Sequence, residues 1–184
     1  MSFSDSFKKD LYELTSSNFE KIAIEAYQYQ WSENSIYKSY CQSLKKNLHN
    51  VLKIEDIPFL PISFFKNQTI KSGNWKEQKI YLSSGTTKTS RSKHHVKDEN
   101  FYLHNATQCF ENHYGSVAKY QILALLPSYQ QQGDSSLIAM IDHFMNISGK
   151  ESGYFLENDT ALTKALKQEG GKKILFGVTY ALLD

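Results

Sequence analysis

The sequence predicts an α/β fold: an N-terminal helical layer followed by a βαβαβαβ, mostly parallel sheet. Three observations carry that prediction. Apolar residues in the first quarter recur at helical spacing. From residue 79 onward, short apolar runs of strand length alternate with amphipathic helical segments, the pattern of parallel strands joined by crossover helices. Glycines, prolines and capping residues punctuate the boundaries between them.

Composition sets the frame. The 184 residues suffice for one domain with a real core, and 12 tyrosines, 11 phenylalanines and 2 tryptophans supply it with large side chains. The 21 Lys and Arg against 19 Asp and Glu leave a net charge of +2, which argues against a nucleic-acid binder despite a local basic run between Lys88 and Lys97. Cys41 and Cys109 match no zinc or redox spacing, and both fall on apolar helix faces, so both are expected to pack in the core. No metal-ligand cluster is evident. The N-terminus lacks an apolar signal segment, and the longest apolar run, residues 122–126, is too short to span a bilayer. The expected location is the cytoplasm.

Residues 4–15 read as a short helix with Phe7, Leu11 and Leu14 on its apolar side. A second helix opens on a capping box, Ser17 with Glu20 three residues on, and carries the stripe Phe19, Ile22, Ala23, Ala26 and Tyr27. A third runs from about Asn34 with Tyr37, Cys41, Leu44 and Leu48 at near-helical steps. Residues 1–56 are therefore a helical layer.

The stretch 57–66 holds Pro58 and Pro61, which forbid a helix interior and a central strand, among mostly large apolar residues. Residues 57–78 are expected to form an extended strap covering the core; lining an apolar ligand pocket is the alternative. The α/β part occupies 79–184. Its first strand, 79–82, leads into Ser83, Ser84, Gly85, Thr86 and Thr87, with Lys88 and Arg91 close behind. Hydroxyls, backbone N–H groups and a glycine wrap an anion, and cations behind them hold it by charge. This is a candidate phosphate loop, though neither a Walker A nor a dinucleotide fingerprint.

Asp98 caps a helix that ends at Gly115, and 120–126 is a buried strand stopped by Pro127. Asp134 can cap a helix carrying Leu137, Ile138, Ile141 and Phe144, ended by Gly149. A short strand near 154–156 precedes a helix capped by Asn158 or Asp159, with Leu162, Ala165 and Leu166 inward; 173–178 is the last strand. Ligands of such sheets sit beyond the carboxyl ends of strands, where the Ser83–Thr87 loop and the 127–133 loop both belong. Residues 179–184 look like a helix that has only begun, so the sequence is expected to be the N-terminal portion of a larger or split protein.

The Ser83–Thr87 loop resembles the phosphate loop of adenylate-forming enzymes, the acyl- and aryl-CoA ligase superfamily. The whole chain more closely resembles the acyl-protein synthetases of bacterial luminescence (LuxE-type) and their relatives. That resemblance rests on the 57–66 segment, on the loop with His94, His95 and Val96, and on 125–129 followed by 133–137. It implies ATP-dependent activation of a fatty or other carboxylic acid as an acyl-adenylate, with transfer to a protein thiol.

By position, Ser83, Ser84, Gly85, Thr86 and Thr87 would grip ATP phosphates. Lys88 or Arg91 would neutralise charge there, with Mg2+ sharing that load. Tyr129 and Gln130 would lie on the substrate side. Lys88 stands where the superfamily usually has glycine. The catalytic residues, adenine contacts and acceptor cysteine are implied to lie beyond residue 184, so the isolated chain is expected not to turn over. A missing C-terminal half, or an acyl-transferase or reductase partner, is implied. The alternative is a non-catalytic remnant that keeps a nucleotide or partner site.

Overall fold

The computed structural model describes residues 3–83, 91–126 and 133–178. Among them the chain divides into two compact units: Met1–Lys76 with Ser92–His95, and Glu77–Arg91 with Val96–Asp184.

The first unit is built from helices α1 (Phe3–Tyr12), α2 (Phe19–Glu33), α3 (Ser35–Ser43) and the single turn α4 (Phe64–Asn67). The capping box expected at Ser17 does not form. Asn18 stands at the start of α2 and turns its amide backward, taking the Thr15 N–H at 2.7 Å and donating to the Glu13 carbonyl at 3.0 Å. Asparagine has both a donor and an acceptor, so it closes the preceding turn instead of capping the next helix. Asn34 does cap α3, accepting the Tyr37 N–H at 3.0 Å. That helix stops short of the expected Leu48, because Lys45 adopts a left-handed conformation (φ 57°) and the Lys46 N–H closes back on the Cys41 carbonyl. Leu48 nonetheless reaches the core formed by Tyr27, Tyr37, Cys41 and Val51.

The proline-containing segment is not the fully covered strap expected. Ile57 and Leu60 pack on that core, but Phe59 and Ile62 are 79% and 78% exposed. The segment is held by its backbone: the buried Tyr37 hydroxyl donates to the Pro58 carbonyl at 2.6 Å. Further along, the Gly73 N–H donates to the Glu33 carbonyl at 2.9 Å, and Gly73 has φ 85° with the Tyr29 hydroxyl close by. A side chain there would be strained and crowded.

The second unit centres on β3 (Tyr120–Leu125), all six of whose residues are buried. It lies between β4 (Gly153–Tyr154) and β5 (Lys172–Gly177), both parallel to it, with Tyr120 opposite Lys172 and Leu125 opposite Gly177. Helices α5 (Glu99–Tyr114), α6 (Ser136–Ser148) and α7 (Asp159–Lys167) complete the α/β pattern. Ile141 and Phe144 of α6 pack with Ile122 and Ala124. Asp98 and Asn158 cap α5 and α7 as expected, and Gly115 and Gly149 end α5 and α6 with positive φ.

Several expectations fail in this unit. The strand β1 (Lys79–Leu82) does not join the parallel sheet. It pairs with β2 (Lys93–Val96), which the basic, His-containing sequence concealed. Ser135, not Asp134, caps α6, accepting the Ile138 N–H. Leu166 is 45% exposed rather than inward. Cys41 is buried, but Cys109 is exposed, since α5 turns Leu103, Thr107 and Phe110 toward its neighbours.

Candidate functional site

Strand β1 delivers Ser83, and its position is fixed by its neighbour Tyr81. That ring is 2% exposed and packs with Val96, Tyr102, Leu103 and Ala139. Its hydroxyl donates to the Glu99 carboxylate at 2.7 Å, and its ring lies 5.3 Å from that of Tyr102. Ile80, on the opposite face, is 39% exposed. Alternation along four residues thus anchors the strand through one aromatic.

Of the residues expected to contact ATP or the acid, Ser84, Gly85, Thr86, Thr87, Lys88, Tyr129 and Gln130 lie outside the described residues. Ser83 and Arg91, which flank the first group, are described. So is Asp134, which follows the second. These three meet in one arrangement. The Arg91 Nε donates to the Ser83 carbonyl at 2.5 Å, and its Nη1 donates to the Asp134 carboxylate at 2.9 Å. The Leu82 N–H donates to the Asp134 carbonyl at 2.8 Å. Arg91 therefore ties residue 83 to residue 134, with two of its donor positions already engaged.

The Arg91 and Asp134 side chains are about 40% exposed, so the pair contributes little to global stability. Its planar, forked geometry suits it instead to fixing position. Sequence reasoning gave Asp134 only a capping role. One signal was present: Arg91 is the sole arginine among 21 basic residues, and a fork-shaped cation used once invites a search for its carboxylate.

His94 and His143 have pKa values pushed below the ordinary histidine range. Burial dominates in both, with His95 adding to it for His94 and His104 for His143. Among the described residues no group of three His, Cys, Asp or Glu could hold a metal ion, and no helix is long and apolar enough to cross a membrane.

The first unit holds a separate feature, a cavity of about 450 Å³ between the Ala23–Ala26 face of α2 and the proline-containing segment. Ile57, Leu60, Phe65 and Ile70 are among its walls. The less favoured sequence expectation for that segment, a pocket wall, is what several of its residues supply.

Comparison with known proteins covers much of this architecture. A family model described as acyl-protein synthetase, LuxE, matches residues 4–122, from α1 into β3. A protein of Photorhabdus luminescens named long-chain-fatty-acid–luciferin-component ligase is 32% identical over 68 residues, which cover 36% of this chain and 58% of that protein. The match thus spans little more than half of that relative. No solved structure matches.

Proposed function

From the premise that the chain belongs to the acyl-protein synthetase (LuxE) family, we propose that it serves ATP-dependent activation of a fatty acid for transfer to a protein thiol. The family match carries the reading. The name of the Photorhabdus luminescens relative, a long-chain fatty acid ligase, supports the acid as substrate.

In this reaction a carboxylate oxygen bonds to the α-phosphorus of ATP while the bond to pyrophosphate breaks. A thiolate sulfur then bonds to the acyl carbon as the bond to AMP breaks. The chain's part is to hold the phosphates. Ser83, Ser84, Gly85, Thr86 and Thr87 would supply hydroxyl and N–H donors, and Lys88 would add charge where pyrophosphate leaves. Arg91 would act by tying the loop's base to Asp134. Tyr129 and Gln130 would face the acid. Magnesium would be carried mainly by the phosphates and water, as that ion commonly is. ATP and acid would be met in the cytoplasm, and the acyl acceptor would belong to a further segment or a partner such as a transferase or reductase.

The test is a calorimetric titration with a non-hydrolysable acyl-adenylate mimic, repeated on Gly85→Val. Saturable binding that the valine abolishes is expected. Absence of binding to the unaltered chain, or equal binding by the variant, would overturn the loop assignment. The isolated chain is expected to give no acyl-hydroxamate with ATP and hydroxylamine.

A further inference from the structure

We propose that the cavity of the first unit is a binding site for the hydrocarbon chain of a long, unbranched fatty acid. The inference rests on the preceding reading for the chemical class of ligand. Its location is carried by the cavity alone.

The cavity exists because α2 presents alanines where a core-forming helix would present larger side chains. Ala23 and Ala26 line it together with Ile57 and Leu60, and its volume is about 450 Å³. That lies within the roughly 300–1,000 Å³ typical of small-molecule sites. It is too small for a docked helix. Lys71 is the charged residue among its described walls, and its ammonium already donates to the Trp75 carbonyl at 2.5 Å and stands 4.3 Å from the centre of that ring. Phosphates and other polyanions would find poor reception here, whereas a methylene chain would find mostly apolar walls, with Gln30, Asn34 and Ser72 as the uncharged polar exceptions.

Two further observations point to an occupant. Phe59, one of the walls, is 79% exposed, as a rim residue awaiting cover would be. Tyr27, another wall, is 2% exposed, yet among the described residues its hydroxyl has no hydrogen-bond partner. Buried hydroxyls are rarely left so.

The experiment is a calorimetric titration of the 184-residue chain with tetradecanoic acid, without nucleotide, alongside octanoic acid. Saturable one-to-one binding is expected, with affinity rising by about fourfold per added methylene until the cavity is full. Ala26→Phe fills the space. It should weaken tetradecanoic acid at least tenfold and octanoic acid less, with an unchanged unfolding midpoint. Should that variant fail to fold, Ala23→Leu decides the question by the same shift toward shorter acids.

No saturable binding by the unaltered chain would overturn the proposal. So would a folded cavity-filling variant that binds both acids as the parent does. Gly85→Val should leave these titrations untouched. Failure of the nucleotide site and failure of the cavity are therefore read separately: the acyl-adenylate mimic reports on the loop, and the free acid reports on the cavity.

Discussion

The two units solve the burial of polar groups differently. In the second, β3 is buried at every position, and its backbone is satisfied by parallel partners on both sides. In the first, the segment after α3 has no ladder. Individual side chains hold it: Tyr37 on the Pro58 carbonyl, and both Tyr29 and Trp75 on the Ser72 carbonyl. A ladder satisfies its donors collectively and leaves side chains free to fill space. Side-chain clamps fix a few points and leave room between them. The cavity, and the Tyr27 hydroxyl that finds no partner among the described residues, belong to the second kind of construction.

Substitutions should separate the two modes. Leu123→Ala, at a fully buried position of β3, is expected to cost about 3–5 kcal/mol, measured by urea unfolding. A loss under about 1 kcal/mol would mean that the sheet is not the second unit's core. Next in size is the clasp. Asp134→Asn should weaken the acyl-adenylate mimic on the order of tenfold while changing stability by less than about 1 kcal/mol, because the ion pair is well exposed. Unchanged affinity would reduce Arg91–Asp134 to a surface contact.

The first unit offers a contrast of sign. Tyr37→Phe removes a buried hydrogen bond and should destabilise by roughly 1–2 kcal/mol. Tyr27→Phe removes a hydroxyl without a partner among the described residues and should be neutral or stabilise by about 1 kcal/mol. Equal losses from both would show that Tyr27 has a partner. The smallest effect is electrostatic. Asp56 accepts from Lys46 at 3.1 Å, and that hydrogen bond chiefly holds its carboxyl below the ordinary range. A depressed carboxylate pKa stabilises the fold above the unfolded pKa, and this is lost as pH falls through the folded value. Asp56→Asn should therefore lessen the acid dependence of the unfolding midpoint, and an unaltered acid limb would rule the pair out.

Local signals in the sequence were read well where one residue had one role to fill. Asn34, Asp98 and Asn158 cap their helices, and Gly115 and Gly149 end theirs, because these interactions span only a few residues. They failed where adjacent residues competed. Ser17 yielded to Asn18, and Asp134 yielded the α6 cap to Ser135 and became free to meet Arg91 instead. The candidate loop was visible as a cluster of hydroxyls beside cations; the clasp at its base was not, since its members lie 43 residues apart.

The sequence by itself determined the alternation of helices and strands, the buried character of 120–126, and the family to which these motifs point. Those properties reside in periodicity and in short-range spacing. Only the tertiary structure decided that β1 pairs with β2 rather than with the parallel sheet, since hydrogen-bond partners of a four-residue strand are chosen by distant chain. It also decided that Ala23 and Ala26 border a space rather than a neighbour. A small apolar residue reads the same in sequence whether its surroundings close on it or stand away, and packing alone tells the two apart.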